Sequence, residues 1–208
     1  MSRTGDFSLV PLRCEACGTG MEAEGTDIVF YCPGCRNGFR FDPESHRMIP
    51  LQVDFVSVID MEGVVFKPFW SIPATVHIEG RVANPAGFLG ILSSLLERGA
   101  SGMAVASTVF AVPAFKLDIR RAIELSRRYT TEPPEVGERL EVPLLGGCFD
   151  FDDAHKIVHY AVIATEVEKG DVLTDLKYRI EFGEPRLLAV PFVAEAGVWK
   201  DARYHLVV

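Results

Sequence analysis

A chain of 208 residues, 48% hydrophobic and 24% charged, has the material for one core of about 150 residues with a small appended module, and this composition is not that of a disordered chain. The formal charge of -8 repels a polyanion at long range, and the first fifty residues share that sign with five Arg against seven Asp and Glu, so nucleic acid is disfavoured as a partner. The opening MSRTGDFSLVPLRC lacks the apolar run of a secretory signal, which places the cysteines in a reducing cytoplasm and disfavours disulfides. The uncharged stretch Gly99 to Phe115 is short for a membrane span and reads as a buried core strand, so no span is expected.

Four of the five cysteines lie between positions 14 and 35. Cys14-Glu15-Ala16-Cys17-Gly18 and Cys32-Pro33-Gly34-Cys35 are two C-x2-C knuckles separated by fourteen residues, a spacing that lets two tight turns present four thiolates tetrahedrally. A glycine is expected to relieve the turn of each knuckle, and Phe30, Tyr31, Phe39 and Phe41 to shield the sulfurs. The window is too short and too polar to fold on its own apolar surface, so it needs a staple. On these residues the sequence resembles the zinc-ribbon, or rubredoxin-like knuckle, superfamily, over about residues 10 to 42. The resemblance implies that Cys14, Cys17, Cys32 and Cys35 ligate one structural Zn2+. Iron is the competing metal for four thiolates, and the short spacer favours zinc. Four protein ligands leave no open position for water or substrate, so the ion is expected to do no chemistry.

Beyond the knuckles, GFRFDPESHRMIP alternates aromatic and polar residues, turns at Asp42-Pro43 and ends at Pro50, which sets the expected boundary between a ribbon at 1–50 and a second domain at 51–208. LQVDFVSVID reads as a strand, and VVFKPFWSIPATVHIEGR as strand broken by Pro68 and Pro73 into edge-like pieces. A first helix is signalled by Asn84 as cap, Pro85 at its first position and Gly99 past its end, with Phe88, Ile91, Leu92, Leu95 and Leu96 between. A second starts at Asp118 and sets Ile119, Ala122, Ile123 and Ser126 on one face, and a third starts near Asp152 or Asp153 and carries Ala154, Ile157, Val158, Ala161 and Val162. DLKYRIEF and RLLAVPFV read as a hairpin about Gly183-Glu184-Pro185, and VWKDARYHLVV as a closing strand. The expected class is α+β, a small zinc ribbon followed by a mixed or antiparallel sheet domain with three helices. KPFWSIPATV, AVPAFKLDI and AVPFVAEAGVW each set a Pro near a Phe, which fits three edge strands or a degenerate duplication of a strand-plus-helix unit.

Outside the knuckles the signals for chemistry are thin. His155 and His159 are four apart on the third helix with Asp152 one turn earlier, the spacing of a second metal site, but the H-E-x-x-H glutamate is absent and a solvated or partly buried face is the plainer reading. His46, His77 and His205 stand alone. Cys148 would be a nucleophile if a His and an acid folded against it, and is otherwise a small buried residue. Arg120, Arg121, Arg127 and Arg128, with Lys116 and Tyr129 nearby, form the one basic concentration, an anion patch unless paired with acids such as Asp118 and Glu124. Phe69, Trp70 and Trp199 are candidate interaction residues, with a core role as the alternative. The sequence lacks the phosphate-loop, dinucleotide and nucleophile-elbow strings. The reading that follows is a non-catalytic interaction module or assembly subunit. The alternatives are a transcription-associated nucleic-acid binder, and an enzyme or ligand carrier using a pocket in the second domain.

Overall fold

The computed structural model describes residues 12–58, 62–84, 104–138, 144–167, 172–195 and 197–208. Among them are ten strands and two helices, with strand well in excess of helix and the main sheet curled. This overturns the expected α+β domain with three helices. The second and third helices form, while the one expected between Asn84 and Gly99 falls on residues outside the described set.

Three short strands, β1 (Val29–Tyr31), β2 (Gly38–Asp42) and β3 (Arg47–Leu51), make an antiparallel sheet beside the knuckles. The β2–β3 turn is held by Asp42, which accepts from Ser45 Oγ and from the Glu44 amide. β3 continues through Pro50, paired to Phe39, and only Gln52 separates it from β4 (Val53–Val56).

The main sheet is organised by β5 (Val64–Asn84), one strand of 21 residues and not the broken edge pieces expected from its prolines. β6 (Ala104–Pro113) runs antiparallel along one side of it, from Phe69 to Ile78. The other side is taken by two strands end to end: β9 (Arg186–Glu195) pairs with Val64 to Ser71, and β8 (Val172–Phe182) with Ala74 to Asn84. Gly183-Glu184-Pro185 is therefore an interruption in one long line of chain and not the turn of a hairpin. Beyond β9 lie β4, which is parallel to it, and β10 (Val198–Asp201); β7 (Val136–Gly137) pairs β4.

The prolines fit because a strand residue points its N–H and C=O to the same edge, so each missing donor has a known direction. Pro73 accepts from the Gly183 amide, so its nitrogen faces the interruption between β8 and β9. Pro68 accepts from the Ala114 amide, just past the end of β6, and Pro191 from the Ala202 amide, between the stretches of β9 that pair β4 and β10. Pro73 and Pro191 sit where one neighbouring strand gives way to another, and Pro68 where β6 ends and an isolated bridge from Phe66 to Leu144 follows.

One helix serves each face of the sheet. α1 (Ile119–Thr131) is capped by Asp118, whose carboxylate accepts from the Arg120 and Arg121 amides, a cap worth ~1 kcal/mol. It buries Ala122, Leu125, Ser126 and Tyr129, a face turned from the expected one, and Ile119 is 51% exposed. With Phe69, Phe115, Leu188, Val190 and Phe192 it forms one core. α2 (Phe151–Val167) buries Ala154, Val158, Ala161 and Val162, close to the expected stripe, in a second core with Phe55, Phe66, Trp70, Ile72 and Val112. Val29, Tyr31, Leu51 and Val53 belong to this second core as well, and the Val29 amide and carbonyl bond the backbone of Gly147.

Candidate metal centre

The two knuckles are built alike. In the first, the Gly18 amide donates to the Cys14 carbonyl at 2.8 Å and the Cys14 amide to the Thr19 carbonyl at 2.8 Å. In the second, Arg36 donates to Cys32 at 2.7 Å and Cys32 to Asn37 at 2.9 Å. The left-handed residue is Gly18, φ 74°, in one and Arg36, φ 58°, in the other. Gly34 therefore does not relieve the second turn as expected. Its role is proximity, because a Cβ there would lie 2.3 Å from Thr19 Oγ1 and 3.2 Å from Cys17 Sγ.

The four sulfurs all lie within 4.8 Å of one another, with Cys14 to Cys35 and Cys17 to Cys32 each at 3.4 Å, and all five cysteines are free. Four ligands about 2.3 Å from a central ion would be separated by about 3.8 Å, so this cluster is of the size to hold one metal ion. Among the described residues it is the one group of three or more His, Cys, Asp or Glu so placed. The thiols sit in unequal surroundings. Cys17 is exposed, and the Thr19 hydroxyl and amide hold its thiol down to about 6; burial pushes Cys32 up to about 12 and raises Cys35. Cys17 is therefore more readily a thiolate than Cys32 or Cys35, whose burial opposes the charged form until a cation balances it. Phe30, Phe39, Met21 and Met48 close over the inner sulfurs with Phe41 at the margin, while Tyr31 turns to the main core instead.

The other candidates go elsewhere. His155 stacks on Phe182 with ring centroids 3.9 Å apart, and His159 Nδ1 lies 3.0 Å from the Tyr178 hydroxyl, so both rings are engaged by β8. Burial lowers the His155 pKa and leaves its Nε2 without a partner. Asp152 is exposed. Phe69 and Trp70 are fully buried, one on each face of the sheet, and Trp70 Nε1 donates to the Phe149 carbonyl at 2.9 Å. Trp199 is half-buried beneath Lys67. The arginines of α1 do not form a free patch: Arg121 pairs with Asp118 at 3.3 Å, Arg128 pairs with Glu132 at 2.9 Å and lies over Tyr204, Arg127 is also engaged, and Arg120 is exposed.

Cys148 lines a cleft of about 480 Å³ between the inter-knuckle loop and the main sheet, where no histidine is among the lining residues. Burial, and then the charge of Asp27, raise its pKa, which keeps it a thiol and not a nucleophilic thiolate. No local pattern signals this cleft, since its walls come from four separate stretches of chain. A further feature that sequence reasoning missed is Asp201, fully buried, accepting from the Tyr129 hydroxyl at 2.9 Å and from the amides of Arg203, Tyr204 and Leu206. It ties the last residues to α1. No described helix is long and apolar enough to cross a membrane.

Comparison with protein-family models, with curated proteins and with solved structures finds no match.

Proposed function

We propose that this chain is a non-catalytic zinc-ribbon protein of the cytoplasm that serves as a protein-protein interaction module or as a subunit of a larger assembly. The observation that carries the reading is the clustering of four cysteine sulfurs with, among the described residues, no fifth His, Cys, Asp or Glu in the group. A tetrathiolate shell of this kind is closed, so its ion organises the chain and activates neither water nor substrate. Zinc is favoured over iron by the short segment between the knuckles, and free thiols suit a reducing compartment. The paired arginines of α1 and the net charge of -8 weigh against the nucleic-acid alternative.

Two measurements test it. Native mass spectrometry of the reduced full chain is expected to find one zinc per chain; stoichiometric iron with a reversible redox signal would refute the structural role. Affinity purification from the source cell is expected to return a defined stoichiometric partner that Cys32→Ser fails to hold. A chain that purifies alone and runs as a monomer, or that binds RNA or DNA below micromolar at physiological salt through Arg120, Arg121, Arg127 and Arg128, would replace this reading.

A further inference from the structure

The cleft beside Cys148 collects charges of both signs. One wall is the inter-knuckle loop with Glu22, Glu24 and Asp27, the other carries Lys67 from β5 and Lys116, and the floor is apolar, from Phe115 and Leu144. Its volume of about 480 Å³ is that of a small-molecule site.

Two of these charges are fixed in place and, among the described residues, have no oppositely charged group within ion-pair distance. Lys67 is half-buried, with Nζ 4.8 Å from the ring centres of both Phe115 and Trp199 and 5.5 Å from that of Phe192. Those π faces hold the ammonium but do not neutralise it, and among the described residues no carboxylate lies within ion-pair distance. Asp27 is held from two sides: Oδ2 accepts from the Glu24 amide at 2.7 Å, and Gly146 packs so closely that a Cβ there would fall 2.0 Å from the same oxygen. It too has no cationic partner among the described residues. Burial pulls Lys67 below the usual lysine range, against the weaker pull of the Glu24 charge, and lifts Asp27 above the usual carboxylate range, with the Glu24 charge adding to it. A preorganised cation and a preorganised anion that share one cavity without neutralising each other are completed by a ligand that brings both opposite charges.

We propose that this cleft binds a small zwitterion with an apolar body, of the amino-acid or dipeptide type, its ammonium among Glu22, Glu24 and Asp27 and its carboxylate on Lys67 and Lys116. A simple anion meets three carboxylates there and a simple cation two ammonium groups, so either is opposed by one wall. The apolar body covers Phe115 and Leu144, and Cys148 lies under it as a reporter.

The test uses the full, metal-loaded chain and the dipeptide leucyl-leucine, followed by calorimetry. The free dipeptide is expected to bind, and acetylating its amine or amidating its carboxylate to weaken binding at least tenfold each. Lys116→Gln, at an exposed position, and Asp27→Asn are expected to weaken it similarly, with melting temperatures measured in parallel to show that the chain stays folded. Saturating dipeptide is expected to slow alkylation of Cys148, read by peptide mapping, several-fold. Absence of heat and of Cys148 protection at millimolar dipeptide would overturn the proposal. So would equal binding of the blocked forms, or wild-type affinity in both folded variants.

Discussion

Around the four sulfurs the buried apolar residues are Met21, Phe30, Phe39 and Met48, with Phe41 partly buried, and the rest of that small core is cysteine. The main sheet buries Trp70, Phe55, Phe66 and Ile72 on one face and Phe69, Tyr129, Leu125 and Phe192 on the other, each less than 2% exposed. At about 1.5–3 kcal/mol for each large side chain fully buried, the second region can fold on apolar area, while the first has too little and depends on its sulfurs. Yet the two are not insulated, because β1 turns Phe30 to the sulfurs and Val29 and Tyr31 to the main core. Alternation along three residues couples the cysteine-centred region to the burial-dependent one.

The strongest way to break this contrast is to remove the ion. Structural zinc contributes about 10–16 kcal/mol in isolated modules, so Cys32→Ser is expected to abolish amide-exchange protection from Cys14 to Phe41. The main sheet should keep a cooperative transition, at lower temperature, because it loses the packing of Val29 and Tyr31. A chain starting at Leu51 is expected to behave the same way. A main sheet whose melting temperature ignores metal removal would show that the coupling through β1 is absent.

Next in size is the main core itself. Trp70→Ala is expected to cost about 3–5 kcal/mol in urea unfolding, from lost burial, a cavity and an orphaned Phe149 carbonyl, while metal content stays at one per chain. Tyr129→Phe removes one donor from buried Asp201 and is expected to cost about 1–3 kcal/mol. Hydrogen exchange should then rise first at Arg203 to Leu206.

The smallest effects lie at the surface of α2 and α1. His155 has a folded pKa below its ordinary 6.5 because burial disfavours the imidazolium, against the pull of Asp152 and Asp150 and with the push of His159. The unfolded chain therefore takes up the proton first as pH falls. The contribution is present above pH 6.5 and is lost as pH drops toward the folded pKa, so His155→Phe should flatten the stability slope in that window. Arg121→Ala, at an exposed pair, is expected to change stability by no more than about 0.5 kcal/mol.

How much of this was legible depended on the range of the cause. The cysteine cluster was readable because two short motifs and one spacer specify it, and the α2 stripe because Ala154, Val158, Ala161 and Val162 repeat at helical period. The α1 face was misjudged because Ile119 and Ile123 suit a helix interior by composition, while the sheet it meets selects Leu125 and Tyr129. Pro68 and Pro73 were read as marks of an edge because local rules treat a missing donor as an unpaired side. Whether that side faces solvent or a change of neighbour is set by β6, β8 and β9, which are distant in sequence, Pro68 itself lying opposite Ala189. The cleft was invisible for the same reason, since Asp27, Lys67, Lys116 and Cys148 meet only in three dimensions.

The placement of the prolines also bears on how β5 finds its partners. Alternation of apolar and polar residues repeats every two positions, so sliding β9 or β6 by two residues along β5 keeps every side chain on its proper face, and the pattern alone cannot reject the error. Such a slip carries the handover points away from Pro68, Pro73 and Pro191, and a paired strand then meets a nitrogen with no hydrogen and a ring in its way. The pyrrolidine rings thus proofread strand register at the spacing to which hydrophobicity is blind.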